Sequence, residues 1–130
     1  GFAGLEGSYK DEIAAVAFGL SKLHSGSILY KGENLVSNRP VDAIRKGIGL
    51  VPKDRKNAGL ILCRSVYENI ILTNINRFKE HVINKKRGMK ATQNLIKKLS
   101  IRTRGTGQLV EYLSGGNQQK VLISKWLEAK

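Results

Sequence analysis

A glycine pair in front of an apolar helical pattern restricts the fold of this chain more than any other feature. Residues 111–120 read EYLSGGNQQK. Apolar residues follow at helical spacing, namely Val121, Leu122, Trp126 and Leu127. Because glycine has no Cβ, the pair allows a sharp turn or a close approach of a ligand to the backbone. The stretch therefore predicts a helix that starts after the glycines and runs to the end of the chain.

The start of this helix has the chemistry of an anion site. The first N–H groups of a helix have no partners inside it and lie at the positive end of its dipole, which favours a phosphate. The hydroxyl of Ser114 adds one donor. The alternative is that Ser114 only caps the helix and the glycines only form a turn. These ten residues alone leave both interpretations open.

Composition indicates one soluble domain. The chain has 130 residues, of which 41% are hydrophobic and 25% charged. No apolar run approaches the roughly 18 residues that span a bilayer, and the opening GFAGLEGSYK lacks the pattern of a signal peptide. Since Cys63 is the single cysteine, no internal disulfide is possible. We expect a cytoplasmic location.

The net charge is strongly positive and suggests an anionic partner. Lys and Arg total 23 against 10 Asp and Glu, which gives +13. The cations are grouped in residues 53–56, 85–90 and 97–104. A solvated basic surface is the simplest interpretation, and anionic lipid headgroups are another candidate contact. Nucleic acid is disfavoured because aromatic residues make up 6% of the chain and do not alternate with the basic groups.

Hydrophobic periodicity predicts an α/β chain. We expect helices at residues 11–23, 40–46, 66–72 and 86–99, besides the last one. Ser65 and Glu68 have the spacing of a capping box before the third of these helices. Strands are predicted at 27–30, 35–36 and 48–51, with a turn at 31–34 between the first two.

Residues 113–120, LSGGNQQK, resemble the signature motif of ATP-binding cassette (ABC) ATPases. The NQQK ending is similar to the sugar- and nucleoside-import branch, of the ribose and galactose type. SGSILYKGENL resembles the antiparallel sheet of a cassette, and DAIRKGIGLVPKDRKNAGLILCRSVYENIIL resembles the segment that leads to its helical subdomain. These stretches cover nearly the whole chain and are most similar to the second of the branch's two fused cassettes.

The resemblance implies a fold. We expect a partial P-loop NTPase of the α/β class, with an antiparallel β segment and a helical subdomain. Residues 1–68 would form a partial nucleotide-binding core, and residues 69–130 the helical subdomain and signature helix. The Walker B aspartate, the catalytic glutamate and the switch histidine of the family are not found, so the chain is expected to be a C-terminally truncated cassette.

The P-loop that the resemblance implies is degenerate. The family pattern is G-x-x-x-x-G-K-[ST], but Tyr9 replaces its second glycine and Asp11 its Mg²⁺-binding hydroxyl. We therefore expect weak nucleotide binding or none, and the alternative is a glycine turn that keeps only the shape. The residues assigned to this loop are Gly4, Gly7, Ser8, Lys10 and Asp11.

Lys53 occupies the position of the family's Q-loop glutamine. A charged lysine neither accepts a hydrogen bond nor ligates a metal, so a structural or subunit-contact role is expected. No catalytic residue and no metal site are assigned. The isolated chain is expected not to hydrolyse ATP, because phosphoryl transfer depends on positioned groups, including a Walker B carboxylate, that it lacks.

The function implied by the resemblance is half of an ATP site. In the family, two cassettes dimerise head to tail, so Ser114, Gly115 and Gly116 would donate to the γ-phosphate of ATP held by the companion cassette. Asn117 and Gln118 would shape that loop. ATP and Mg²⁺ are the cofactors implied for the full protein.

The implied partners are the companion cassette, transmembrane permease subunits and, indirectly, a solute-binding protein. Residues 69–109 would face the permease, at the cytoplasmic side of the membrane. Two alternatives remain: a segment of a non-transport ABC ATPase that binds nucleic acid, and an interaction domain that binds no nucleotide.

Overall fold

The chain divides into two compact units in the computed structural model, Gly1–Leu50 and Val51–Lys130. The structure describes residues 3, 7–35, 39–74, 79–80 and 82–128. Within that part, no helix has the length and apolar character needed to cross a bilayer. This division reflects packing, so the predicted functional boundary between residues 68 and 69 stays a prediction.

The first unit begins with helix α1, Lys10–Phe18. Gly19 follows in the left-handed conformation, with φ 83°, and its N–H donates to the carbonyl of Val16 at 3.0 Å. A Cβ at Gly19 would lie 2.7 Å from the carbonyl carbon of Arg39. The predicted helix at 11–23 was therefore too long, because this glycine ends the helix and brings the chain against the residue before α2, Pro40–Arg45.

A short hairpin separates these two helices. Strand β1, Leu29–Tyr30, pairs antiparallel with β2, Glu33–Asn34. Lys31 and Gly32 form the turn, with φ of 54° and 84°, as in the two-residue turns that match strand twist. The predicted four-residue turn at 31–34 was wrong, since two residues suffice and the second strand starts earlier. Residue 36, the end of that predicted strand, lies outside the described residues.

The strand predicted at 48–51 is also wrong. Ile48 lies three residues after the end of α2, and its N–H still donates to the carbonyl of Ala43 on that helix at 3.0 Å. Val51 is 44% exposed rather than buried. An isolated apolar run needs a neighbouring strand to pair with, and none of the described segments pairs with this one.

The second unit is mainly helical. Its helices are α3, Arg55–Ala58; α4, Val66–Ile71; α5, Lys85–Lys98; and α6, Gly115–Leu127. Short 3₁₀ turns cover Leu72–Asn74 and Val110–Tyr112. A second antiparallel hairpin pairs β3, Lys79–Glu80, with β4, Val82–Ile83. The predicted helices at 40–46, 66–72 and 86–99 are confirmed within one residue at each end, whereas α3, β3 and β4 were not predicted.

The core of this unit forms where α4 packs against α5 and α6. Its fully buried apolar side chains are Val66, Ile70, Val110, Val121 and Leu122. Burial of each such side chain contributes roughly 1.5–3 kcal/mol. Since Val121 and Leu122 belong to α6, the core fixes the helix that follows the glycine pair.

Asn69 on α4 holds the loop that precedes the helix. Its side chain is 1% exposed. Its Oδ1 accepts from the N–H of Ile61 at 2.8 Å, and its Nδ2 donates to the carbonyls of Ile61 at 2.9 Å and Ser65 at 3.0 Å. The side chain thus satisfies loop groups that the core would otherwise leave unpaired.

A capping box at Ser65 and Glu68 begins the same helix, α4, as predicted. The N–H of Ser65 donates to Oε2 of Glu68 at 2.8 Å, and the N–H of Glu68 donates to Oγ of Ser65 at 3.1 Å. Arg64 adds an ion pair to Glu68 at 3.1 Å. The bonds from the N–H and hydroxyl of Ser65, followed by the charge of Arg64, lower the pKa of the Glu68 carboxyl.

We predict that Asn69→Ala lowers the free energy of unfolding by about 3 kcal/mol, because it leaves several buried backbone groups unpaired. Urea denaturation followed by circular dichroism measures the loss. Asn94→Ala, at an exposed site on α5, is the control and should change stability by less than about 0.5 kcal/mol. Equal effects of the two substitutions would contradict the role given to Asn69.

We also predict that Glu68 makes stability depend on pH. Its pKa is lower in the folded chain than in the unfolded chain, so the stabilisation is present above the unfolded pKa and is lost as pH falls through the folded pKa. Glu68→Gln removes this contribution. The stability gap between wild type and variant, measured by urea denaturation, should therefore shrink as pH falls through the acidic range; a gap independent of pH would refute the assignment.

Candidate functional site

The first turn of α6 contains the predicted signature residues and leaves its backbone donors free. Ser114 is the N-cap in an extended conformation, with φ −62° and ψ 155°, and Gly115 and Gly116 are the first two helical residues. The helix therefore includes the glycines instead of starting after them. Ser114 makes no side-chain cap. Among the described residues, the N–H groups of Gly115, Gly116 and Asn117 have no acceptor.

This surface is open and carries no acidic residue. Ser114, Gly115 and Gly116 are exposed, and a Cβ at Gly116 would meet no atom within 4 Å. The first turn of α6 contains no Asp or Glu. The partial positive charge of the helix end is therefore not neutralised from within the turn.

Asn117 ties this turn to the segment after α5. Its Oδ1 accepts from the N–H of Arg102 at 2.8 Å, and its Nδ2 donates to Oγ of Ser114 at 2.9 Å. Because Oγ of Ser114 accepts this bond, the hydroxyl proton can be donated outward. Next along the helix, Nζ of Lys120 donates to the carbonyl of Ser100 at 2.9 Å.

Gln118 points inward rather than to solvent. The residue is only 5% exposed. Its Nε2 donates to the carbonyl of Val110 at 3.1 Å. Its Oε1 lies 3.5 Å from Nε of Arg55, a long hydrogen bond. The amide therefore holds the 3₁₀ turn before the motif in place, and it does not reach the exposed face.

Arg55 belongs to this site although the sequence analysis counted it only as surface charge. Its Nη2 lies 2.8 Å from the place where a Cβ at Gly115 would stand. Asp54 positions it by capping α3, since its Oδ1 accepts from the N–H groups of Lys56 and Asn57, each at 3.1 Å. The hydrogen bonds of Asn57 and Lys56, with the charge of Lys56, lower the pKa of Asp54.

The position of Arg55 is electrostatically unfavourable. A cation at the start of a helix opposes the helix dipole. Among the described residues no carboxylate pairs with its guanidinium. The only sequence signal for Arg55 was its place in the run Pro52–Lys56, because its partners Gly115 and Gln118 are some sixty residues away.

The predicted P-loop lies in the first unit and is built differently. Gly4 falls outside the described residues. Gly7 has φ 85°, and Ser8 is exposed beside it. Tyr9 is the N-cap of α1 in the left-handed conformation, with φ 58° and ψ 13°, and it is 74% exposed.

Tyr9 thus adopts a conformation that favours glycine at the position where the family pattern has one. Lys10 is the first residue of α1, and the first turn also holds Asp11 and Glu12. Two carboxylates at a helix start satisfy its dipole and repel a phosphate. The residues assigned to the P-loop and those of the signature are described in separate units, so each is judged by itself.

Lys53 lies on an exposed bend directly before the Asp54 cap. Its predicted structural or subunit-contact role stays a prediction. Groups of His, Cys, Asp and Glu able to hold a metal ion are absent among the described residues. The residues at the P-loop position do not fit Mg²⁺ in the family's manner, since Asp11 replaces the hydroxyl.

A groove on the second unit offers a different surface. It has a volume of about 520 Å³ and lies beside α4. Its apolar walls include Ile61, Tyr67, Ile71 and Leu72, and Lys85 also lines it. Arg64 and Glu68 line it as well, so the groove combines apolar walls with charged side chains.

Comparison with known proteins identifies the family of the chain. The ABC transporter family model matches residues 1–130. The chain is 44% identical over 131 residues to the ribose import ATP-binding protein RbsA of Shouchella clausii, with 100% of the chain and 26% of that protein covered.

Two further relatives are similar. The ribose import ATP-binding protein RbsA of Clostridium tetani is 42% identical over 129 residues, and the galactofuranose transporter ATP-binding protein YtfR of Escherichia coli O157:H7 is 45% identical over 128. Each alignment covers 98% of this chain and 26% of the relative. The chain thus spans about a quarter of the length of these relatives. The family match over residues 1–130, together with these relatives, shows that the chain belongs to the ABC transporter family.

Proposed function

We propose that the chain is part of the ATP-binding subunit of an ABC importer for sugars or nucleosides, and that the start of α6 completes an ATP site on a companion cassette. One observation carries this proposal: three adjacent N–H groups at an exposed helix start have no acceptor within the described chain. Open space over Gly116 leaves room for a phosphate there.

The names of the relatives support the transport role. They are import or transporter ATP-binding proteins for ribose and galactofuranose. A non-transport ATPase that binds nucleic acid is not favoured by these names. The proposed solute class is therefore a sugar of this kind, with a nucleoside as the alternative that the NQQK motif also allows.

The chemistry of the proposed site is charge stabilisation. The γ-phosphate of ATP on the companion cassette would accept hydrogen bonds from the N–H groups of Gly115 and Gly116 and from the hydroxyl of Ser114. Arg55 would add a positive charge beside Gly115. The negative charge of the bound γ-phosphate would offset the cost of placing this cation at a helix start. Phosphoryl transfer depends largely on such positioning, and the groups for hydrolysis would come from outside this chain.

The degenerate P-loop is proposed to bind nucleotide weakly or not at all. Asp11 and Glu12 place negative charge at the start of α1, where the family holds phosphate. Tyr9 keeps the backbone turn but adds a side chain to it. The site completed in trans by α6 would then be the functional one for this half of the protein.

The groove beside α4 is proposed to receive an apolar segment of a transmembrane permease subunit. Its walls of Ile61, Tyr67 and Ile71 supply apolar surface, and Lys53 lies in the loop proposed to contact the same subunit. The chain would then sit at the cytoplasmic face of the membrane, and a solute-binding protein would act on the other side.

We predict that Ser114→Arg weakens ATP-dependent association with a companion cassette by at least tenfold, about 1.4 kcal/mol. The bulky side chain would fill the space that the γ-phosphate needs. Sedimentation velocity with and without ATP measures the association. Ser21→Arg, which adds the same side chain at an exposed site in the first unit, is the control and should bind normally. Association that does not require ATP, or that survives Ser114→Arg, would disprove the trans site.

We predict that Arg55→Ala weakens the same association about fivefold, because it removes a charge worth roughly 1 kcal/mol at a helix start. Lys56→Ala removes an equal charge from the exposed neighbouring residue and should have little effect. If both substitutions act equally, or if Arg55→Ala strengthens association, then Arg55 does not face the phosphate.

A further inference from the structure

Helix α5 carries an unusually one-sided charge. Its sequence is KKRGMKATQNLIKK, without a single Asp or Glu in 14 residues. The cations are Lys85, Lys86, Arg87, Lys90, Lys97 and Lys98. Every group on this helix that is charged at neutral pH is therefore positive.

The cations at the start of α5 oppose helix formation. The first turn holds Lys85, Lys86 and Arg87 at the positive end of the dipole, where acidic residues are favourable. Lys86 and Lys90 also repel each other at a spacing of four residues. Lys97 and Lys98 in the last turn are favourable to the dipole, but no carboxylate within the helix neutralises the cations of its first turn.

Other contacts hold the helix in place. Asn84 caps it, with its Oδ1 accepting from the N–H of Arg87 at 3.1 Å. Gly88, Thr92 and Leu95 form its buried side, and a Cβ at Gly88 would lie 3.1 Å from the ring of Tyr67 on α4. The orientation of α5 is thus fixed by packing, which also fixes the direction of its charged side.

Three lysines form a row on the opposite, exposed side. Lys86, Lys90 and Lys97 are exposed, and their spacing of four and seven residues places them near one line along the helix. We call these three residues the α5 lysine row. At about 1.5 Å per residue, the row extends roughly 16 Å. None of the three has a carboxylate partner among the described residues.

We propose that the α5 lysine row rests on the anionic lipid headgroups of the membrane. Lysines are flexible point charges, which suit the phosphates of a fluid surface. Nucleic acid is disfavoured because α5 has no aromatic residue on which a base could stack. The proposal goes beyond the trans ATP site, although both place the chain in a membrane transporter.

Vesicle co-sedimentation tests the proposal. The 130-residue chain is mixed with vesicles of phosphatidylcholine alone or with equal parts of phosphatidylglycerol. We expect binding only to the anionic vesicles, and release at high salt, because the Debye length falls to about 3 Å at 1 M. The triple substitution Lys86→Glu, Lys90→Glu and Lys97→Glu should reduce partitioning by at least about a hundredfold.

A second triple variant controls for net charge. Lys22→Glu, Lys46→Glu and Lys56→Glu alter exposed lysines elsewhere by the same total charge. It should keep most of the binding, and both variants should keep the circular dichroism spectrum of wild type. Equal loss in the two variants, binding to neutral vesicles, or tighter binding to RNA than to anionic vesicles would overturn the proposal.

ATP-dependent association with the companion cassette serves as the separate readout. Substitution of the α5 lysine row should leave it unchanged, since the row does not contact Ser114, Gly115 or Gly116. If the vesicle experiment fails while this association persists, only the lipid contact is wrong. If this association is absent from wild type, the trans ATP site is wrong and the vesicle result still stands by itself.

Discussion

The hydrogen bonds made by two side-chain amides in the first turn of α6 are the constraint on which the proposed site depends. Gln118 bonds to the carbonyl of Val110 and Asn117 to the N–H of Arg102. These bonds fix the turn to the segment after α5 and to the 3₁₀ turn Val110–Tyr112. None of these bonds uses the backbone N–H groups of Gly115 and Gly116, which have no acceptor among the described residues. A serine that capped the helix in the usual way would have satisfied one of these donors and reduced the site.

The starts of α1 and α6 both follow or contain glycine, but they differ in charge and in backbone conformation. At α6 the first turn has no acidic residue and Arg55 adds positive charge. At α1 the first turn holds Asp11 and Glu12, and Tyr9 takes the left-handed conformation. Both helix starts expose the same kind of backbone, but only the first combines open space with uncompensated positive potential.

The sequence predicted the parts of the structure that depend on local pattern. The capping box of Ser65 and Glu68 and the helices α4 and α5 follow from spacing within a few residues, so they were predicted. The strand at 48–51 was wrong because strand formation depends on a distant partner. The end of α1 was missed because Gly19 stops the helix through its conformation, which an apolar pattern does not reveal.

The proposed site was predictable only in part, for a similar reason. LSGGNQQK is a contiguous motif, so its position at a helix start could be expected. Arg55 is brought to Gly115 by the folding of α3 onto α6 across some sixty residues, and no pattern in the sequence encodes that distance. The inward direction of Gln118 likewise depends on Val110, which belongs to a 3₁₀ turn that was not predicted.

Hydrogen exchange at the amides of Gly115, Gly116 and Asn117 tests the trans site most directly. These groups have no acceptor within the described chain, so they should exchange rapidly in the chain alone and with ATP alone. With the companion cassette and a non-hydrolysable ATP analogue together, the site predicts that their exchange slows markedly. Rapid exchange of all three amides in that complex would contradict the account.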